Sequence, residues 1–200
     1  MSLVAGVVAW TCWGLFAVVW IAGAFYNQQR GPAMKTKSSM PSVAVIIVLV
    51  VVAFRFGAGS GANPMGHPLA RDLGVELAGA VVLAAATAFT LWARWVLGTM
   101  WSSAPMAKEG HELRTGGPYG ITRHPIYTGI TGMALGSVLA TGVSVEAIVL
   151  TLGVGVLFQV KIRAEERLMS AQFPGAYERY RHQVPQLVPG LNLLRGSHAR

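Results

Sequence analysis

Charge is scarce in this chain. Asp, Glu, Lys and Arg make up 12% of its 200 residues, about half of what a soluble domain carries. The few charges cluster, which leaves long stretches with none. Acidic residues are scarcest, 8 against 16 Lys and Arg, for a net charge of +8. Cysteine is nearly absent. A single Cys12 rules out an internal disulfide, and inside an apolar run it reads as a buried, inert thiol. No basic segment precedes the first apolar run, which argues against a cleaved secretory leader.

What is abundant is apolar. Hydrophobic residues reach 53%, and the mean hydropathy is +0.50. These values describe an integral membrane protein. Apolar runs fall at about 3–25, 43–57, 73–97, 126–140 and 143–160. A bilayer crossing takes roughly 20 residues, so the run at 43–57 is short, and a re-entrant segment is the alternative there. Trp10, Trp13 and Trp20 are interfacial anchors or packing residues, and Trp92 and Trp95 sit at an interface. The tight Thr141-Gly142 turn makes the last two runs an antiparallel hairpin. With five spans, 14 Lys and Arg lie on one side and 2, Arg55 and Arg71, on the other. The rich side is cytoplasmic. The N-terminus is then outside and the C-terminus inside. Orientation explains the basic loops, so nucleic acid is not an expected partner, nor is a metal.

One loop concentrates the local chemistry: RTGGPYGITRHPIYTG, Arg114 to Gly129. Gly116, Gly117 and Gly120 free its backbone, and Pro118 restrains it. Pro125 suits the first turn of a helix. That helix start, with Arg123 and His124 beside it, suits a carboxylate or phosphate. A plain basic juxtamembrane loop is the other reading. Gly129, Gly132 and Gly136 share one helix face, where small residues allow close packing. Gly153 and Gly155 are the expected partner surface. Beyond the last run, Glu165 and Glu166 stand side by side. They are a solvated helix start or carboxylates for a cationic ligand. Neighbours on a helix do not face each other, so the two are expected to point apart.

The pieces GPYGITRHPIYTG, EERL and FPGAYERYRHQVP resemble the isoprenylcysteine carboxyl methyltransferase family, grouped with the phospholipid methyltransferases of membranes. LGTMWS, Leu97 to Ser102, resembles a stretch common in bacterial members. The likeness covers roughly residues 94–189, and Pro174 replaces a family Gly. It implies an all-α polytopic fold of one domain, 1–200. The pocket would be cytoplasmic, built from the loop before span four, the span four–five hairpin and the C-terminal tail. It implies S-adenosylmethionine as cofactor and a lipophilic methyl acceptor held among membrane lipids. Gly117, Pro118, Tyr119, His124, Pro125, Tyr127, Gly129, Glu165 and Glu166 would bind the cofactor. Arg123, on the substrate side, and Glu166 would be catalytic. The tail also resembles NADPH-dependent membrane sterol-type reductases. That group shows Arg-Asp-Glu and a tail Cys, where this chain has Ala164-Glu165-Glu166 and no Cys. A non-enzymatic membrane protein is the third reading.

The charge split generates a topology test. In a Cys12→Ala background, Ser103→Cys and Ser197→Cys should react with membrane-impermeant maleimide only after the cells are opened. Labelling of both from outside intact cells would refute the orientation.

Overall fold

A computed structural model describes residues 2–30, 72–100 and 113–190, and these are helical apart from short connections. In chain order they form α1 (Leu3–Arg30), α2 (Leu73–Leu97), α3 (Pro118–Ile121), α4 (Pro125–Thr141), α5 (Val145–Gln172) and α6 (Ala176–Gln183), with a 3-10 turn at Gly98–Met100. The apolar run at 43–57 lies outside the described residues.

The helix ends follow from local chemistry. Asp72 caps α2 by accepting from the backbone N–H of Val75 at 3.1 Å, one of the orphan donors of a first helical turn. Ser144 caps α5 in the same way through Ala147. Pro118 and Pro125 open α3 and α4. Gly142, at φ 104, ends α4 in a conformation side chains avoid.

Among the described residues three helices are long and apolar enough to cross a membrane: Leu3–Asn27, Leu73–Leu97 and Ala147–Gln172. α4, with 17 residues, is an inner helix, and eleven of them are buried. α5 does not stop at 160. It continues unbroken to Gln172, so Glu165 and Glu166 belong to the same rod as the apolar span. The core joins four helices through Phe16 and Trp20 of α1, Leu83 of α2, Ile130 and Met133 of α4, and Phe158 and Ile162 of α5. Trp20 stacks on Phe16 at 4.3 Å between centroids, and Trp13 Nε1 donates to Ser137 Oγ at 3.0 Å. Both are therefore packing residues. Trp92 and Trp95 are exposed, as expected of anchors.

α4 packs most extensively against α2. The glycine face is indeed the contact, but its partner differs from the expected one. A Cβ on Gly136 would lie 2.6 Å from the backbone N of Leu83, and one on Gly132 2.9 Å from Ala86 Cβ. A Cβ on Gly79 would in turn lie 2.8 Å from the Gly136 carbonyl. Gly153 and Gly155 meet nothing within 4 Å. Spacing shows which face of α4 is narrow, but not which neighbour fills it. Thr87 and Thr90 hydroxyls bond back to their own helix at 2.7 Å, which satisfies them inside an apolar layer.

Gly136→Ala should therefore force the α2 backbone away and cost about 1–3 kcal/mol. Gly153→Ala should be neutral or gain up to about 1 kcal/mol of helix stability. Thermal unfolding in detergent checks both, and equal effects would contradict this packing.

Candidate functional site

The Arg123–His124 turn is built into the fold by the chain's later residues. The backbone N–H groups of Arg123 and His124 donate to the carbonyls of Pro185 at 2.8 Å and Gln186 at 3.2 Å. Thr128 Oγ1 donates to the Leu187 carbonyl at 2.8 Å. Residues 185–187 thus run along the start of α4. Gly175, at φ 75, makes the bend after α5 that lets α6 turn back toward this loop. The Tyr180 hydroxyl fixes that position by donating to the Tyr119 carbonyl at 2.6 Å.

The Arg123 guanidinium lies at the junction. Its Nε and Nη2 reach Glu166 Oε1 at 3.0 and 2.9 Å. Its Nη1 donates to the carbonyls of Arg181 at 3.0 Å and Val184 at 2.6 Å. These carbonyls end α6, where backbone acceptors lack helical partners and the dipole favours a cation.

Glu165 and Glu166 do not face apart, contrary to the expectation from a helix. Both reach His124. Its Nε2 is 3.2 Å from Glu166 Oε1, and its Nδ1 is 3.6 Å from Glu165 Oε2. The reason is geometric: the α4 start points at α5 between the two side chains, and each glutamate is long enough to close on it. Tyr127 donates to Glu165 Oε1 at 2.5 Å, while its ring packs on Phe158 at 4.8 Å. Burial pushes the His124 imidazole down, but hydrogen bonds and charge from Glu165 and Glu166 outweigh it, and the net shift is upward. Burial raises the phenols of Tyr119, Tyr177 and Tyr180, so they stay neutral donors.

A cleft of about 560 Å3 opens beside the cluster, within the roughly 300–1,000 Å3 typical of small-molecule sites. Arg123 and Glu166 line it. His124 and Tyr127 stand behind them, bonded to the same glutamates. Tyr119 joins α3 to α6. A Cβ on Gly117 would lie 3.5 Å from Trp92, and one on Gly129 3.0 Å from Thr90 Cβ, so both glycines approach α2. Pro118 and Pro125 are buried at helix starts. Sequence reasoning missed Gln159, Arg181, His182 and Gln186, which also line the cleft. The signal for Gln159 was present: it is an amide inside an apolar span. The lining fits a zwitterionic ligand, because it carries the carboxylates Glu166 and Glu178 together with the cations Arg123 and Arg181. Among the described residues no group of three or more His, Cys, Asp or Glu stands close enough to hold a metal.

The model of the phospholipid methyltransferase family matches residues 75–176, just over half of the chain. Three curated relatives show what the chain is similar to. A protein-S-isoprenylcysteine O-methyltransferase of Schizosaccharomyces pombe is 34% identical over 43% of this chain and 36% of its own. The B form from Arabidopsis thaliana is 33% identical over 42% and 43%. The cobalt-zinc-cadmium resistance protein CzcN of Cupriavidus metallidurans is 30% identical over 50% and 47%. The chain thus spans less than half the length of each. Among solved structures, the eukaryotic intramembrane Ras methyltransferase ICMT (isoprenylcysteine carboxyl methyltransferase) aligns with a TM-score of 0.58 and 20% identity. That alignment covers 78% of this chain and 55% of that one, and the likeness is one of fold.

The histidine generates a pH test. Its folded value lies above the ordinary value near 6.5. The protonated form therefore stabilises the fold fully below about pH 6.5, and this stabilisation is lost as pH rises through the folded value. The melting-temperature advantage of wild type over His124→Gln should shrink as pH climbs from 6 to 9. A constant difference would show that His124 is not the titrating group.

Proposed function

The chain belongs to the phospholipid methyltransferase family, and from that membership we propose that it transfers a methyl group from S-adenosylmethionine to a lipophilic acceptor resident in the membrane. The observation that carries this reading is that Arg123 and Glu166, with His124 bonded behind them, line a cleft to which the apolar span α5 also contributes Gln159. Part of the proposed site thus lies on a helix long and apolar enough to cross the membrane.

The cofactor supplies an electrophilic methyl on a sulfonium. The chain supplies charge and alignment. We assign Glu166 to the cofactor's ammonium. Arg123 and His124 both use its Oε1, so the second oxygen is the one assigned. Glu165, His124, Tyr119 and Tyr127, with Gly117, Pro118, Pro125 and Gly129, complete the cofactor region. Arg123 faces the acceptor. In-line displacement at carbon draws much of its rate from alignment, and Arg123 is held by bonds to three residues. His124, flanked by two carboxylates, holds a proton rather than taking one. An acceptor that is already anionic needs no base, and that class fits this site.

In the same proposal, five spans place the N-terminus outside and the cleft in the cytoplasm. The acceptor enters sideways from the bilayer, and the cofactor enters from water.

Calorimetric affinity for S-adenosylhomocysteine tests the assignment, since this ligand keeps the ammonium and lacks the sulfonium. A charge-assisted hydrogen bond contributes roughly 1.5–3 kcal/mol. Glu166→Gln should therefore bind about 10- to 150-fold more weakly. It also removes the anion beside Arg123, so its melting temperature is measured in the same preparation. If Glu166→Gln and Glu165→Gln both bind like wild type, the glutamates are purely structural. If wild type ignores this ligand and binds NADPH, the reductase reading replaces this one.

A further inference from the structure

α5 is 28 residues long, roughly 42 Å at 1.5 Å per residue, against a hydrocarbon layer of about 30 Å. It contributes two side chains to the cleft, Gln159 and Glu166. They are seven residues apart, two turns, so they share a face about 10 Å apart along the axis. Glu166 is the charged end, tied to Arg123. Gln159 is the other end. On one side of it Val156, Leu157 and Val160 are exposed, as lipid-facing residues are. On the other, Phe158 and Ile162 are buried in the core. Leu187 and Val188 line the same cleft. An amide at membrane depth is costly unless it has a partner, and such residues mark ligand paths.

We infer that Gln159 is a specificity residue, whose side-chain amide hydrogen-bonds a carbonyl at the junction between the acceptor's lipid chain and its methylated end. This rests on the methyl-transfer reading and adds to it a selection rule. An acceptor entering from the bilayer leads with apolar atoms and carries its reacting group toward Arg123. Its junction passes the Gln159 level. A carboxamide there offers two N–H donors and an oxygen acceptor. A neutral carbonyl satisfies it, whereas a bare hydrocarbon junction leaves it unpaired. Discrimination of this kind comes from the penalty on the acceptor lacking the group.

The probes are N-acetyl-S-farnesylcysteine and S-farnesyl-3-mercaptopropionate, which share chain and carboxylate but differ in the acetamide. Their affinities are measured by calorimetry with detergent-solubilised full-length protein, alongside S-adenosylhomocysteine. Wild type should favour the acetamide probe about 2- to 12-fold, the effect of one hydrogen bond. Gln159→Met matches the length without a donor, and should bring the ratio to near one. Gln159→Asn keeps the NH2 on a shorter stem and should retain part of the preference. Both probes sample the same folded population, so partial unfolding does not move the ratio. A ratio near one in wild type, or one unchanged in Gln159→Met, overturns this inference and leaves the proposed function standing if S-adenosylhomocysteine binds. If wild type does not bind S-adenosylhomocysteine, the methyl-transfer reading fails and this inference falls with it.

Discussion

The site depends on one guanidinium. Arg123 holds Glu166 of α5 and the last carbonyls of α6 at once. α6 is held over the loop as well by the Tyr180–Tyr119 bond, the strap at 185–187 and the packing of Tyr177, Tyr180 and Val184 on Leu113, Met169 and Phe173. A planar cation with five donors can give Nε and Nη2 to a carboxylate while Nη1 serves two carbonyls on another element, whereas a lysine's three donors radiate from one nitrogen and do not span that fork. The carboxylate takes Nε and Nη2 and the helix end takes Nη1, so the two acceptors do not compete for the same N–H group. The arrangement explains why a basic residue sits beside a helix start, where the dipole alone would disfavour it. Arg123 is oriented away from the α4 start, toward the opposite pole of a second helix.

The membrane part obeys a different constraint, which is closeness rather than charge. α4 is short and almost surrounded, and glycines on both α2 and α4 let the backbones touch. In lipid, burial of apolar surface against apolar surface gains little, so association comes from tight contact. The two constraints meet at His124 and Pro125. The glycine contact sets where α4 begins, and that beginning sets where Arg123 and His124 stand relative to α5.

Much of this was legible in the residues. Pro125 announced the helix start, Gly142 its end, and the glycine spacing the narrow face of α4. The acidic pair and the Arg-His-Pro turn were legible as chemistry. Two things were not. The first was that α5 runs on to Gln172, because the charges after Val160 look like the end of a span when hydropathy is the only guide. The second was the orientation of Glu165 and Glu166. A helical wheel separates neighbours by about 100°, but it carries no information on what stands between them. His124 stands there, brought by a chain segment some 40 residues earlier, and no local pattern encodes that meeting. Gln159 was visible as a polar residue in an apolar run, yet only the fold, which brings residues 185–188 to the same cleft, makes it part of one.

The self-pairing of the cluster bears on how any charged ligand binds here. Glu166 already has Arg123 and His124, and Arg123 already has carbonyl partners. A ligand's ammonium approaching Glu166 does not meet a bare charge. It competes with, or adds to, bonds the protein makes to itself. The net gain is then the difference between the bonds made to the ligand and the bonds they displace, which is smaller than the ligand's bonds taken alone. In return, the protein avoids the larger penalty of holding an uncompensated carboxylate beside an apolar helix. A site made this way is ordered before the ligand arrives, and preorganisation of that kind is what an in-line methyl transfer needs from its surroundings. The same pairing sets a limit on substitution. A change at Arg123, His124 or Glu166 acts on folding and on binding together. The residues whose effects can be read as recognition alone are those at the edge of the cluster, farther down α5.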